Sequence, residues 1–156
     1  MVRTVEPEPG SIIYARAVSA RARTFSYDVS LDREWAASSA LGGITIPNEE
    51  EEWTPEHLVL AGLCRCSLTS FRFHARRAGL EPVASASAHG IVTRRDEDGH
   101  FAFVEIRLDL QVALEPAPPP DDLREIIMKG ERDCFVGASL TAKPDYHWTV
   151  NGEELQ

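Results

Sequence analysis

Thr54-Pro55-Glu56-His57-Leu58-Val59-Leu60-Ala61-Gly62-Leu63-Cys64-Arg65-Cys66, continuing through Ser67-Leu68-Thr69-Ser70-Phe71 to Arg76-Arg77-Ala78-Gly79, reads as one long helix with both ends marked. Thr54 suits the N-cap and Pro55 the first helical position. Arg76 and Arg77 complement the negative end of the dipole, and Gly79 is placed to stop the helix. Between Leu58 and Cys64 the pattern is apolar nearly all the way round, which predicts burial on all sides, whereas Arg65, Thr69, Arg72 and Arg76 recur at helical spacing and give the later turns one wet face. The helix is therefore expected to be central.

Working outward, residues 12–19 and 24–31 read as two strands joined by Arg21-Ala22-Arg23, with Phe25, Tyr27 and Val29 alternating against Ser26, Asp28 and Ser30. From Gly42 to Trp53, the Gly42-Gly43 and Pro47-Asn48 pairs and the acidic run Glu49 to Glu52 predict a solvated loop. Beyond the helix, Val83 to Arg95, the turn Asp96-Glu97-Asp98-Gly99 and Phe101 to Leu114 predict a long antiparallel hairpin. Its buried face comes from Ile106, Leu108, Leu110 and Val112, which alternate with Glu105, Arg107, Asp109 and Gln111. A proline-rich linker, Pro116 to Pro120, leads into a helix with the acidic start Asp121-Asp122 that runs to about Asp133. A short helical turn to Leu140, a break at Pro144 and a last strand around Tyr146 to Val150 complete the pattern. These elements define an α+β fold, antiparallel sheets around a long central helix, in a single domain spanning 1–156 with 1–11 as a mobile N-terminal segment.

The chain has 156 residues, 43% of them hydrophobic and 26% charged, with a net charge of -9. That charge argues against nucleic acid or an anionic membrane surface as partner. The first ten residues contain no apolar signal-peptide core, and no apolar run approaches the roughly 20 residues of a membrane span, so a cytoplasmic protein is expected. Three cysteines, an odd count, point away from a structural disulfide framework and toward free, reactive or buried thiols.

On an ideal helix Cys64 and Cys66 point about 200° apart and cannot jointly chelate a metal. His57 and His74 lie on scattered faces of the same helix, and no second ligand pair stands at metal-site spacing, so all five histidines are read as satisfied or exposed, and no metal or cofactor is expected. Cys64 lines up with Leu60, Ala61, Leu68 and Phe71, an apolar neighbourhood in which a thiol acts as a small hydrophobe. Cys66 falls between Gly62 and Ser70, with a missing side chain one turn before and a hydroxyl one turn after. That neighbourhood is compatible with a catalytic thiol and with a buried structural one. The chain has no Cys-x-x-Cys, which argues against a disulfide reductase.

Pro55-Glu56-x-Leu58, the Cys66 that follows Glu56 by ten positions, and Cys134-x-Val136 ahead of a final strand resemble the OsmC/Ohr family of osmotically inducible and organic-hydroperoxide-resistance proteins. The resemblance runs from about Phe25 to Val150. It implies an OsmC/Ohr-like fold and an intertwined homodimer with sites at the subunit interface. In chemical terms it implies that Cys66 attacks an organic hydroperoxide, Cys134 resolves the product as a Cys66–Cys134 disulfide, and a dithiol reductant, such as a lipoyl protein, closes the cycle. The family's thiolate is held by an arginine from the N-terminal region, for which Arg23 is the first choice with Arg21 and Arg33 behind it, and Glu56 is implied to orient that arginine. Two positions depart from the family's pattern: Phe135 stands where a proline is usual after the second cysteine, and Gly137 where a serine is usual.

A peroxidatic thiol needs a lowered pKa, a cation or donor for the peroxide and a second thiol for the sulfenic acid. Its mid-helix position denies Cys66 the N-terminus of its own helix, which makes the arginine necessary. Leu63, Phe71 and Phe73 would wall the site with apolar surface suited to an alkyl hydroperoxide, although large apolar residues are first of all core. The alternative is a family-like homodimer without peroxidase activity that binds a small ligand or senses redox state.

Overall fold

A computed structural model of the chain describes residues 25, 27–31, 36–39, 41–45 and 53–155. The predicted strand over 12–19, the Arg21–Arg23 connection and the acidic run lie outside the described residues.

The chain divides into two compact units, Met1–Ile46 and Pro47–Gln156. In the first, β1 (Ser30–Leu31), β2 (Ala36–Ser39) and β3 (Gly42–Thr45) form an antiparallel sheet in the order β1-β2-β3. The expected loop beginning at Gly42 is thus partly strand: Gly42 to Thr45 pair with Ser39 to Ala36, and the Ser39 hydroxyl accepts the Leu41 N–H at 3.1 Å to shape the turn between them. Backbone pairing across a short connection overrode the turn signal of the two glycines.

The second unit contains α1 (Pro55–Arg77), β4 (Val83–Arg94), β5 (Phe101–Ala113), α2 (Pro120–Arg132), α3 (Phe135–Ser139), β6 (Asp145–Val150) and β7 (Glu153–Leu155). Thr54 is the N-cap of α1, Pro55 opens it, and Ala78 caps it ahead of Gly79. His57 completes the start by accepting the Thr54 N–H on Nδ1 at 3.2 Å, one of the donors every helix leaves unpaired. The sheet order is β4-β5-β6-β7: β4 and β5 form the predicted hairpin, β6 runs parallel to β5, and β7 returns antiparallel. A parallel neighbour needs a crossover, and α2 and α3 supply it.

Strand β7 was not anticipated, although Asn151-Gly152 is a two-residue hairpin signal with both residues at positive φ. Asn151 also ties off β5. Its Oδ1 accepts the Leu114 N–H at 2.9 Å and its Nδ2 donates to the Leu114 carbonyl at 3.1 Å.

Ile106, Leu108, Leu110 and Val112 of β5 are buried as their alternation requires, and they pack with Leu63, Phe71 and Ala75 of α1, Leu123 and Ile126 of α2, and Trp148 of β6. The Phe71 and Trp148 rings are 4.8 Å apart at 41°. The expectation that α1 is buried on all sides near its start is corrected. Only the stripe Leu63, Ser67, Phe71 and Ala75 is buried, Val59 is exposed, and Leu60, Ala61, Cys64 and Leu68 are half-covered along a groove against Ala86 and Ala88 of β4. One sheet and one neighbouring helix cover one side of a cylinder, and the apolar run continues beyond that side. Among the described residues no helix is long and apolar enough to cross a membrane.

Helices α1 and α2 approach so closely that a Cβ on Gly130 would lie 3.1 Å from the Phe71 Cα and 3.4 Å from its Cβ. Gly130→Val therefore forces the helices apart, and overpacking of this kind costs about 1–3 kcal/mol. A lowered thermal midpoint, with secondary structure retained below it, is the expected result.

Candidate active site

Cys66 lies one position off the buried stripe of α1, half-covered, and Cys134 is the N-cap of α3, with no exposed surface. The crossover that follows β5 returns the chain to α1, so residues far apart in sequence meet. The Val136 N–H points to the Cys66 Sγ at 3.5 Å, and the Cys134 thiol lies near enough to bear on its ionisation.

Burial pushes the Cys66 thiol up, the Val136 N–H opposes this, the neighbouring Cys134 thiol pushes it further up, and the Phe135 N–H pulls it down. The mid-helix argument is thereby corrected in part: the first-turn N–H groups of a different helix, α3, face this sulfur. Sequence reasoning missed them because backbone donors carry no side-chain signature. In the fold as described, burial remains the largest influence, so the sulfur still needs a cation to ionise near neutrality.

Cys134 is enclosed by polar groups. Its Sγ accepts the Gly137 N–H at 3.4 Å and shares a hydrogen bond with the Ser67 Oγ at 3.3 Å. The Tyr146 hydroxyl stands beside Cys134 over Gly137, and its pKa is raised, first by burial and next by the Cys134 charge. The hydroxyl singled out in the sequence, Ser70, has a buried oxygen with no hydrogen-bond partner among the described residues; the engaged serine is its neighbour on the core stripe.

The remaining sequence-predicted residues are more scattered. Glu56 is fully exposed in the first turn of α1, held below its usual value first by the Thr54 side chain. It stands 10 residues (66 − 56) before Cys66, about 15 Å along a helix. Arg21, Arg23 and Arg33 lie outside the described residues. Cys64 is half-buried, its pKa raised by burial, and it lines the groove as its apolar ridge predicted. Leu63 and Phe71 are core, whereas Phe73 is exposed, with the Arg77 guanidinium 5.6 Å from its ring centre. Among the described residues no group of three His, Cys, Asp or Glu side chains is arranged to hold a metal ion.

The model of the family described as OsmC-like protein matches residues 48–149, a span that includes Cys66, Cys134 and every element from α1 to α3 and reaches into β6. The chain belongs to the OsmC-like protein family. Its fold is shared by an OsmC-like protein from Mycoplasma pneumoniae (19% identity, TM-score 0.63, covering 82% of this chain and 97% of that one). It is shared too by the organic hydroperoxide resistance protein OhrB of Bacillus subtilis (19%, 0.51, 81% and 98%). A third likeness is a putative organic hydroperoxide resistance protein from Vibrio cholerae with captopril bound in one of its active sites (17%, 0.58, 87% and 98%). No curated protein sequence matches the chain.

Both departures of this OsmC-like chain from the family's pattern have a local physical effect. A proline at 135 has no N–H, whereas Phe135 directs one toward Cys66. A Cβ at Gly137 would lie 2.6 Å from the Tyr146 hydroxyl oxygen and 3.3 Å from the Cys134 Sγ, so the absent side chain makes room for the tyrosine.

Asp133, next to Cys134, is fixed by charge. Arg132 beside it holds its carboxyl at about 2, well below the usual 3.8, and His74 of α1 adds a 2.8 Å contact. A depressed carboxylate contributes stability that is present above the unfolded value and lost as pH falls through the folded one. Asp133→Asn should therefore lower the melting temperature above pH about 4, with the difference from the parent chain shrinking toward pH about 2. Melts recorded across that window check it, and a constant difference would remove the linkage.

Proposed function

We propose that this chain is a thiol-dependent peroxidase that reduces organic hydroperoxides. The observation that carries the reading is the meeting of Cys66, half-buried on α1, with the fully buried Cys134 thiol, under the Val136 N–H. A Cys66 thiolate attacks one peroxide oxygen, the O–O bond breaks, and the alkoxide leaves and takes a proton. Cys66 becomes a sulfenic acid, Cys134 attacks its sulfur, water leaves, and the disulfide is reduced by an external dithiol such as a lipoyl protein. Because burial raises the Cys66 pKa, the mechanism calls for a guanidinium, and Arg23 is the proposed one, oriented by Glu56.

A homodimer is part of the same proposal: the half-covered stripe Leu60, Ala61, Cys64 and Leu68 is apolar surface that a second copy would bury. The raised Cys66 pKa favours the second reading, a homodimer that binds a small ligand and is inert to peroxide. Thiol titration after exposure to an organic hydroperoxide separates the two. Loss of two thiols per chain is the enzyme's result, and three unreacted thiols are the binder's.

Steady-state turnover assigns the thiols. Cys66→Ser should abolish reduction, Cys134→Ser should give one turnover and a sulfenic acid on Cys66, and Cys64→Ser should stay active. An active Cys66→Ser chain ends the reading.

The roughly 15 Å between Glu56 and Cys66 makes a shared site testable. If both serve one guanidinium, at least one of these groups must come from the second subunit. Mixing inactive Glu56→Ala and inactive Cys66→Ser homodimers under exchange should then regenerate activity in the heterodimer. A dead mixture is expected if the site is confined to one chain, whereas a Glu56→Ala homodimer that is itself active is expected if Glu56 is only a first-turn carboxylate, worth about 0.3–1 kcal/mol to the helix.

A further inference from the structure

The proposed cycle uses Cys134 as a nucleophile, yet that sulfur is fully buried, and the hydrogen bonds to it among the described residues come from a hydroxyl and a backbone N–H. What surrounds it is a set of hydrogen-bonding groups: the Gly137 N–H at 3.4 Å and the Ser67 hydroxyl at 3.3 Å, with the Tyr146 hydroxyl beside it across Gly137. They come from α3, α1 and β6, so the whole fold is needed to assemble them. The tyrosine has a space reserved for it, because any side chain at 137 would collide with its oxygen at 2.6 Å.

We infer that Tyr146, with Ser67, stabilises the Cys134 sulfur as it becomes a thiolate, and so governs resolution of the sulfenic acid without acting on the first, peroxide-consuming step. The inference rests on the peroxidase reading for its place in the cycle. In the resolving step Cys134 releases its proton, its sulfur bonds to the Cys66 sulfur, and the S–O bond breaks. The departing hydroxide takes the proton and leaves as water, so no other oxidant or reductant enters. Charge on the Cys134 sulfur grows before the S–S bond forms, and a hydrogen bond to a charged group is stronger than one to a neutral group. A phenol that stays protonated remains a donor, and burial and the Cys134 charge both keep Tyr146 protonated. Among the described residues, the other titratable groups near Cys134 and Tyr146 are Cys66 on α1 and Glu131 at the end of α2; Glu131 is itself raised by burial, and it accepts the Trp148 indole N–H at 2.7 Å.

Tyr146→Phe keeps the ring and removes the donor. In single-turnover experiments with an organic hydroperoxide, sulfenic acid formation on Cys66 should proceed at the parent rate. Conversion to the disulfide should slow by about tenfold, with its pH profile moved to higher pH. With excess hydroperoxide the stalled sulfenic acid should be oxidised further, to sulfinic acid. Ser67→Ala should slow the same step. Unchanged resolution rates and pH profiles in both variants overturn the inference.

A second measurement needs no peroxide. When Cys66 is converted to a mixed disulfide with thionitrobenzoate, attack by Cys134 releases the coloured thiolate, and Tyr146→Phe should slow this release by a similar factor; an equal rate counts against the inference. A parent chain that releases the thiolate but leaves Cys66 unoxidised by hydroperoxide refutes the peroxidase reading alone.

Discussion

The four-residue ridge Leu63, Ser67, Phe71 and Ala75 fixes the rotation of α1, and the geometry of the thiols follows from that rotation. Each step along a helix turns about 100°, so once Ser67 points into the core, Cys66 lies about 100° round to one side of it and Cys64 about 60° round to the other, along the groove. Phe71 seals the orientation by packing on Trp148 and against the bare backbone of Gly130. A register change in this one helix would remove the half-buried thiol from α3 and expose the serine that reaches Cys134.

Both ends of α1, the β4–β5 hairpin, the proline-led α2 and the last long strand were legible in the sequence, because capping residues and strict periodicity are local signals. The chain was less legible where a local signal competed with pairing. Gly42-Gly43 reads as a turn until β2 lies beside it, and Asn151-Gly152 was a hairpin signal that went unread. The burial of α1 was overstated because composition shows how apolar a helix is and not which side its neighbours cover.

The two thiols of the candidate site, Cys66 and Cys134, could be proposed from their positions and from the family resemblance. Their surroundings could not. The N–H groups of Phe135, Val136 and Gly137 have no sequence signature, and Tyr146 reads only as one residue of an alternating strand. Phe135 and Gly137, which look in sequence like losses relative to the family pattern, are in the structure an added backbone donor and a reserved space.

The long connection between Cys66 and Cys134 has a thermodynamic side. Between them run β4, β5 and α2, about 70 residues, so a covalent bond joining the two sulfurs would close a large loop in the unfolded chain while joining atoms that already meet in the folded one. In the chain-entropy account a closure of that size withholds about 4 kcal/mol of freedom from the unfolded ensemble. Oxidised and reduced forms of the protein would then differ in resistance to unfolding by a sizeable part of a small domain's whole stability, and the redox state of one bond would be written into the lifetime of the entire fold.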